Sequence, residues 1–165
     1  MKKFFCFIIG ICITLALHAR KECHYKGMLE LECGAAYNFN TAQLVSTNNM
    51  QLFTTIATIH GLYLKPYFVG LGGGFYHSFR DNENIYPVFT EFRYDWGDMR
   101  FKPYIDLRLG VVYDPYWIST VQGYGGFGIG VQVYENLHFG CRGAVFSRPS
   151  RYFTANASIV IGYYF

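Results

Sequence analysis

The sequence predicts an all-β chain: an eight-stranded antiparallel up-and-down transmembrane β-barrel, preceded by a cleaved signal peptide. Three observations predict it. Apolar and polar residues alternate with period two over eight segments of about ten residues, as side chains do on strands with unlike faces. Gly (18 residues), Tyr (15) and Phe (16) are abundant, while charged residues make up only 15%, against roughly a quarter in soluble chains. The last segment, residues 153–165, carries an apolar face that runs into Tyr163, Tyr164 and Phe165, as a closing strand does when it faces lipid and ends in an aromatic girdle.

Residues 1–19 read as a targeting segment. Lys2 and Lys3 precede an apolar run from Phe4 to Leu17, and cleavage is expected after Ala19. A retained membrane helix is the alternative, but the run is short for a span. Residues 20–165 then form one barrel domain with twelve basic against eleven acidic residues. A net charge near +1 without a concentrated basic face excludes nucleic-acid binding. Cys23, Cys33 and Cys141 remain, enough for one disulfide at most, and no Cys-x-x-Cys pair suggests a metal.

The first strand is expected over residues 27–37, with Leu29, Leu31, Cys33, Ala35 and Tyr37 opposite Glu30, Glu32 and Gly34. A loop rich in Asn and Thr follows. The second, 51–59, has the weakest pattern; Phe53, Thr55, Ala57 and Ile59 are taken as its apolar, lipid-side face, with a tight turn at His60-Gly61. The third, 64–77, sets Tyr67, Val69, Leu71 and Phe75 against Phe68, Gly70, Gly72, Gly74 and Tyr76. The fourth, 86–94, sets Tyr86, Val88, Phe92 and Tyr94 against Glu91 and Arg93. The fifth, 102–113, sets Ile105, Leu107, Leu109, Val111 and Tyr113 against Asp106, Arg108 and Gly110. In the sixth, 123–134, Phe127, Ile129, Val131 and Val133 oppose Gly126, Gly128, Gly130 and Gln132. In the seventh, 137–146, Leu137, Phe139, Cys141 and Val145 oppose His138, Gly140, Arg142 and Ala144. Segment 153–165 is the eighth and must pair with the first to close the barrel. Connections after strands two, four and six are short, as periplasmic turns are, and the others are expected to be the outer loops.

A membrane barrel turns its polar face inward. Glu30, Glu32, Glu91, Arg93, Asp106, Arg108 and Arg142 then share a lumen only wide enough for side chains. Buried charges must pair, so these residues predict an ion-pair network that plugs the barrel; a pore lined by the same charges is the alternative. The glycine runs at 70–74 and 126–130 resemble nucleotide loops only superficially, since no helix pattern follows them. They are read as relief for bulky neighbours. No cofactor is expected.

Candidates for nucleophilic chemistry are His77 with Ser78, and Ser147 or Ser150 in the last loop. Neighbours on a strand point to opposite faces, so His77 and Ser78 form no direct nucleophile–base pair. His138 is placed near the opposite rim, and His24 and His60 at the periplasmic end lack the clustered partners of a metal site. Tyr113, Tyr116 and Trp117 form an extracellular aromatic patch, either part of the interfacial belt or a contact surface for an unidentified ligand.

The chain resembles the small outer-membrane β-barrel proteins of Bacteroides-type bacteria, related in architecture to the OmpA/OmpX-type barrels. The resemblance rests on residues 37–41 (YNFNT), 64–74 (LKPYFVGLGGG), 87–94 (PVFTEFRY), 102–105 (KPYI) and the terminal Tyr163-Tyr164-Phe165. It implies residence in the outer membrane of a Gram-negative bacterium, contact with outer-membrane lipid and lipopolysaccharide, and recognition of Ile159, Ile161, Tyr163 and Phe165 by the barrel-assembly machinery. It carries no shared catalytic residues. The expected function is a non-enzymatic structural or surface-interaction role through the extracellular loops. A small porin-like channel, a lipid A-modifying enzyme and a soluble lipocalin-like barrel are the alternatives.

Overall fold

The computed structural model describes residues 23–40, 50–97, 100–115, 121–134, 136–148 and 152–165. The predicted signal segment, the domain start at residue 20, and Tyr116, Trp117 and Ser150 lie outside the described residues. Eight strands follow in order: β1 Cys23–Asn40, β2 Met50–Leu64, β3 Tyr67–Ser78, β4 Glu83–Asp95, β5 Phe101–Tyr113, β6 Val121–Val133, β7 Leu137–Arg148 and β8 Tyr152–Tyr164. Each pairs antiparallel with its sequence neighbours, and β8 returns to β1 to close a barrel. Closure leaves no sheet edge, which is what a strand protein needs in order to cross a membrane.

The outside of the barrel is apolar. Leu31, Leu71, Val88, Leu109, Phe127, Ile129 and Ile159 all point outward and are exposed, Leu71 by 69%. A 13-residue strand such as β5 is about 44 Å long at ~3.4 Å per residue. At a tilt of ~40° it rises about 34 Å, enough to carry the ~25 Å apolar band of a membrane barrel.

Two expectations for the second strand are corrected. His60 and Gly61 do not turn the chain; they lie within β2, where Gly61 faces Lys26 on one side and Gly70 on the other. Gly61 is there for close approach: a Cβ would run into the Val69 carbonyl and the Gly70 Cα. The turn falls at Lys65 and Pro66, between β2 and β3. The face is also reversed. Phe53, Thr55, Ala57 and Ile59 are buried in the lumen, while Leu52, Ile56 and Leu62 face outward. Both faces of β2 carry apolar residues because its inward Phe53, Ala57 and Ile59 belong to the two apolar clusters of the lumen. A one-residue change of register exchanges the faces, and composition here could not distinguish them.

The connections alternate less cleanly than expected. Residues 41–49 and 114–120 are long links, but β3–β4 is joined by only four residues and β7–β8 by three.

Inside, two apolar clusters lie at different heights. Met28, Ala57, Ile59, Tyr63, Phe68, Phe89 and Tyr164 form one. Ala36, Phe53, Tyr76, Ile85, Val112 and Phe146 form the other. Along β1 the inward residues run Met28, Glu30, Glu32, Gly34, Ala36, so the carboxylates fall between the clusters.

Candidate functional site

Strand parity turns the charged side chains into the lumen. On β4 and β5 the pairs Glu91–Arg108 and Arg93–Asp106 are direct cross-strand partners, which sets opposite charges within reach. Across the barrel, β1 contributes Glu30 and Glu32, and β7 contributes Arg142. All seven charged residues named from the sequence are brought together here, none more than 6% exposed.

Arg108 is held by three carboxylates. Its Nε donates to Glu91 Oε2 at 2.8 Å, its Nη1 to Glu32 Oε1 at 2.9 Å, and its Nη2 to Glu30. Arg142 grips Asp106 with two donors, Nε to Oδ1 at 3.1 Å and Nη2 to Oδ2 at 3.0 Å, and its Nη1 reaches Glu30 Oε2 at 2.9 Å. Arg93 donates to Glu30 Oε1 at 2.9 Å and to the Tyr164 hydroxyl, and lies 2.9 Å from Glu91 Oε1. Glu30 therefore meets all three guanidiniums. Cation–π contacts complete the shell: Arg93 Cζ sits 4.3 Å from the Tyr104 ring and Arg108 Cζ 4.3 Å from the Phe89 ring.

Two glycines let acid and base meet across an intervening strand. Gly128 lies between Asp106 on β5 and Arg142 on β7 in one row of the sheet. A Cβ at Gly128 would strike the Asp106 carboxylate, which crosses this gap to reach Arg142. Gly162 lies in the same way between Glu30 on β1 and His138 on β7. The His138 ring covers Gly162, where a Cβ would collide with it, and its Nε2 lies 2.9 Å from Glu30 Oε1. The inward glycines thus make room for bulky neighbours.

His138 is a correction. It is not a rim residue but is fully buried in the network, with Tyr104 and Tyr164 against its ring at 5.6 and 5.1 Å between centroids. The signal for it was its parity: residues 138 and 142 share a face of β7 with the inward-facing Arg142. Tyr104 and Tyr164 were also missed, whereas Ser158 was expected to face the lumen. Ser158 Oγ donates to Glu32 Oε2 at 3.1 Å. Their inward positions followed from alternation, but nothing local marked them as partners of charges.

The remaining candidates lie elsewhere. His77 Nδ1 is 2.8 Å from Asn84 Oδ1, and Ser78 donates to Gln51 Oε1 at 2.8 Å from the buried face. Ser147 is exposed on the outward face of β7. His60 faces outward beside the Tyr25 hydroxyl, and the His24 ring lies 5.2 Å from that of Tyr63. Tyr113 is exposed at the end of β5. Ile159, Ile161, Tyr163 and Phe165 all point outward on the closing strand or just past it. Cys33 and Cys141 also face outward, on the two strands flanking Ile159. Among the described residues, no group of three or more His, Cys, Asp or Glu side chains is arranged to hold a metal ion.

The arrangement fills the lumen. Beside the network, a cavity of about 20 Å³ between Glu32, Arg108, Phe89 and Tyr124 has room for about one water.

No known protein family matches the sequence, and no curated protein matches it. Solved structures do match. Neisserial surface protein A superposes with a TM-score of 0.64 at 13% identity, covering 87% of this chain and 99% of that one. Its fold is that of the small eight-stranded outer-membrane barrels. The outer-membrane enzyme PagL follows at 0.62 and 12% identity, covering 82% of this chain and 97% of that one. Ail of Yersinia pestis, solved in complex with the heparin analogue sucrose octasulfate, matches at 0.52 and 9% identity over 86% of this chain and 99% of that one.

Proposed function

We propose that this chain is an integral barrel of the outer membrane of a Gram-negative bacterium, with a sealed lumen and a non-enzymatic role exercised at its extracellular end. The observation that carries the reading is the buried network centred on Glu30, which shares the lumen with two apolar clusters. A conducting pore needs a continuous wet path, whereas here the guanidiniums and carboxylates occupy the cross-section. The aromatic surface and the likeness to outer-membrane barrels support the location. Lipid and lipopolysaccharide are then its surroundings, and the barrel-assembly machinery its route there, through the outward residues of β8. The resemblance of residues 64–74 and 87–94 to the small barrels of Bacteroides-type bacteria favours that branch as its source. Against an enzymatic role stands the engagement of His77 and Ser78 by different amide side chains, Asn84 and Gln51.

Planar-bilayer recording of the purified, refolded chain tests the sealed lumen. A silent bilayer at neutral pH is expected, and steady openings overturn it. Mass spectrometry of lipid A from cells with and without the protein tests the enzymatic alternative; identical lipid A is expected, and loss of an acyl chain overturns the non-enzymatic reading.

A further inference from the structure

The outer wall is not uniform at the end of the barrel where β1 begins and β8 ends. A groove of about 220 Å³ opens there across β3 to β6, lined on its outward side by Tyr67, Val69, Phe92, Tyr94, Leu107 and Phe127. Its walls are apolar, and its rim is aromatic. The Tyr67 and Tyr94 rings lie 5.2 Å apart, and Trp96 meets Tyr94 edge-on at 4.9 Å. In the same β4–β5 turn Arg100 is exposed, its Nη2 donating to the Tyr134 hydroxyl and its Cζ 4.6 Å from the Tyr134 ring. The lysines of this end are placed differently: Lys26, Lys65 and Lys102 line the cavity at the mouth of the lumen.

The spacing between cation and groove fits one kind of molecule. Ile105 and Leu107, both groove residues, follow Arg100 along β5 by about 17 and 24 Å at ~3.4 Å per residue. On a strand tilted by ~40° that is a depth of about 13 and 18 Å. These depths bracket the ~15 Å thickness of one hydrocarbon leaflet. A cation fixed at the interface with an apolar groove running inward to mid-membrane matches a phosphate joined to an acyl chain. Arg100 is also the residue type suited to it, since a guanidinium held by stacking presents its remaining donors to phosphate oxygens.

We propose that the β3–β6 face binds an anionic phospholipid of the periplasmic leaflet, its acyl chain in the groove and its phosphate on Arg100. The proposal rests on the reading of the chain as an outer-membrane barrel. A zwitterionic lipid fits the groove equally well, but its own ammonium competes for the phosphate, so charge decides between the two.

The chain has two tryptophans, and Trp117→Phe leaves Trp96 beside the groove as the single indole reporter. This variant is refolded into vesicles of phosphatidylethanolamine and phosphatidylglycerol, with one or the other brominated in mid-chain, and Trp96 fluorescence is followed. Brominated phosphatidylglycerol is expected to quench with an apparent affinity about fivefold above that of phosphatidylethanolamine, the factor for one Arg at an anionic surface. Adding Arg100→Gln should bring the ratio to about one while quenching persists. Equal quenching by both lipids, or a ratio that survives Arg100→Gln, overturns the site but leaves the barrel in the membrane. Absence of quenching by either lipid overturns both the site and the membrane reading.

Discussion

Arg108→Met is the substitution that most directly probes the sealed lumen. Arg108 is 1% exposed and contacts Glu30, Glu32 and Glu91. Methionine fills much of the volume of its aliphatic stem but supplies no charge. Four carboxylates would then face two guanidiniums. Glu30 keeps Arg93, Arg142 and His138, and Glu32 keeps Arg142, but Glu91 retains only Arg93. Leaving a buried charge uncompensated costs about 3–5 kcal/mol. With a urea slope of about 2 kcal/mol per M, the unfolding midpoint should fall by about 2 M. The assay is urea titration of the refolded barrel, read by the compact band of unheated samples on a detergent gel. Adding Glu91→Gln, which removes the carboxylate left with fewest partners, should recover at least about half of the loss, so that the double variant is more stable than Arg108→Met alone. Residues in one network couple in this way. A midpoint shift below about 0.5 M, or strictly additive losses in the double variant, would refute the claim that these charges depend on each other.

Three further outcomes follow from the same geometry. Gly162→Val drives a side chain into the His138 ring and should separate His138 from Glu30, at a cost of about 2–3 kcal/mol on the scale of overpacking; urea titration checks it, and His138→Ala in the same chain should relieve part of the strain. Phe165→Asp removes a ring that lies over Gly27, where backbone bonds of 3.0 and 2.9 Å close the β1–β8 seam; surface labelling of cells should show severalfold less assembled barrel. Cys33 and Cys141 both stand opposite Ile159, two strand spacings or about 9.5 Å apart, beyond the ~7 Å reach of a disulfide. Mass spectrometry after alkylation without reductant should therefore find both thiols modified in the folded monomer.

Whatever depends on period two was legible in the residues alone. Strand parity is local, so β1 and β3 to β8 could be read with their faces, and so could the inward direction of Glu30, Glu32, Glu91, Arg93, Asp106, Arg108 and Arg142. The outward aromatic positions of β8 followed in the same way. Where parity lost its contrast, the sequence was silent. β2 is apolar on both sides, so neither its face nor its turn was legible, and Gly61 looked like a turn residue because a glycine for close approach and a glycine for bending are the same letter. The tertiary structure alone decided which acid meets which base. That choice depends on the stagger of strands around the closed barrel, which sets Glu30, Gly162 and His138 in one row and Asp106, Gly128 and Arg142 in another. Residues 108 positions apart have no local signal for each other. They meet because the sheet closes on itself, and a buried charge must find its counterpart wherever closure has placed it.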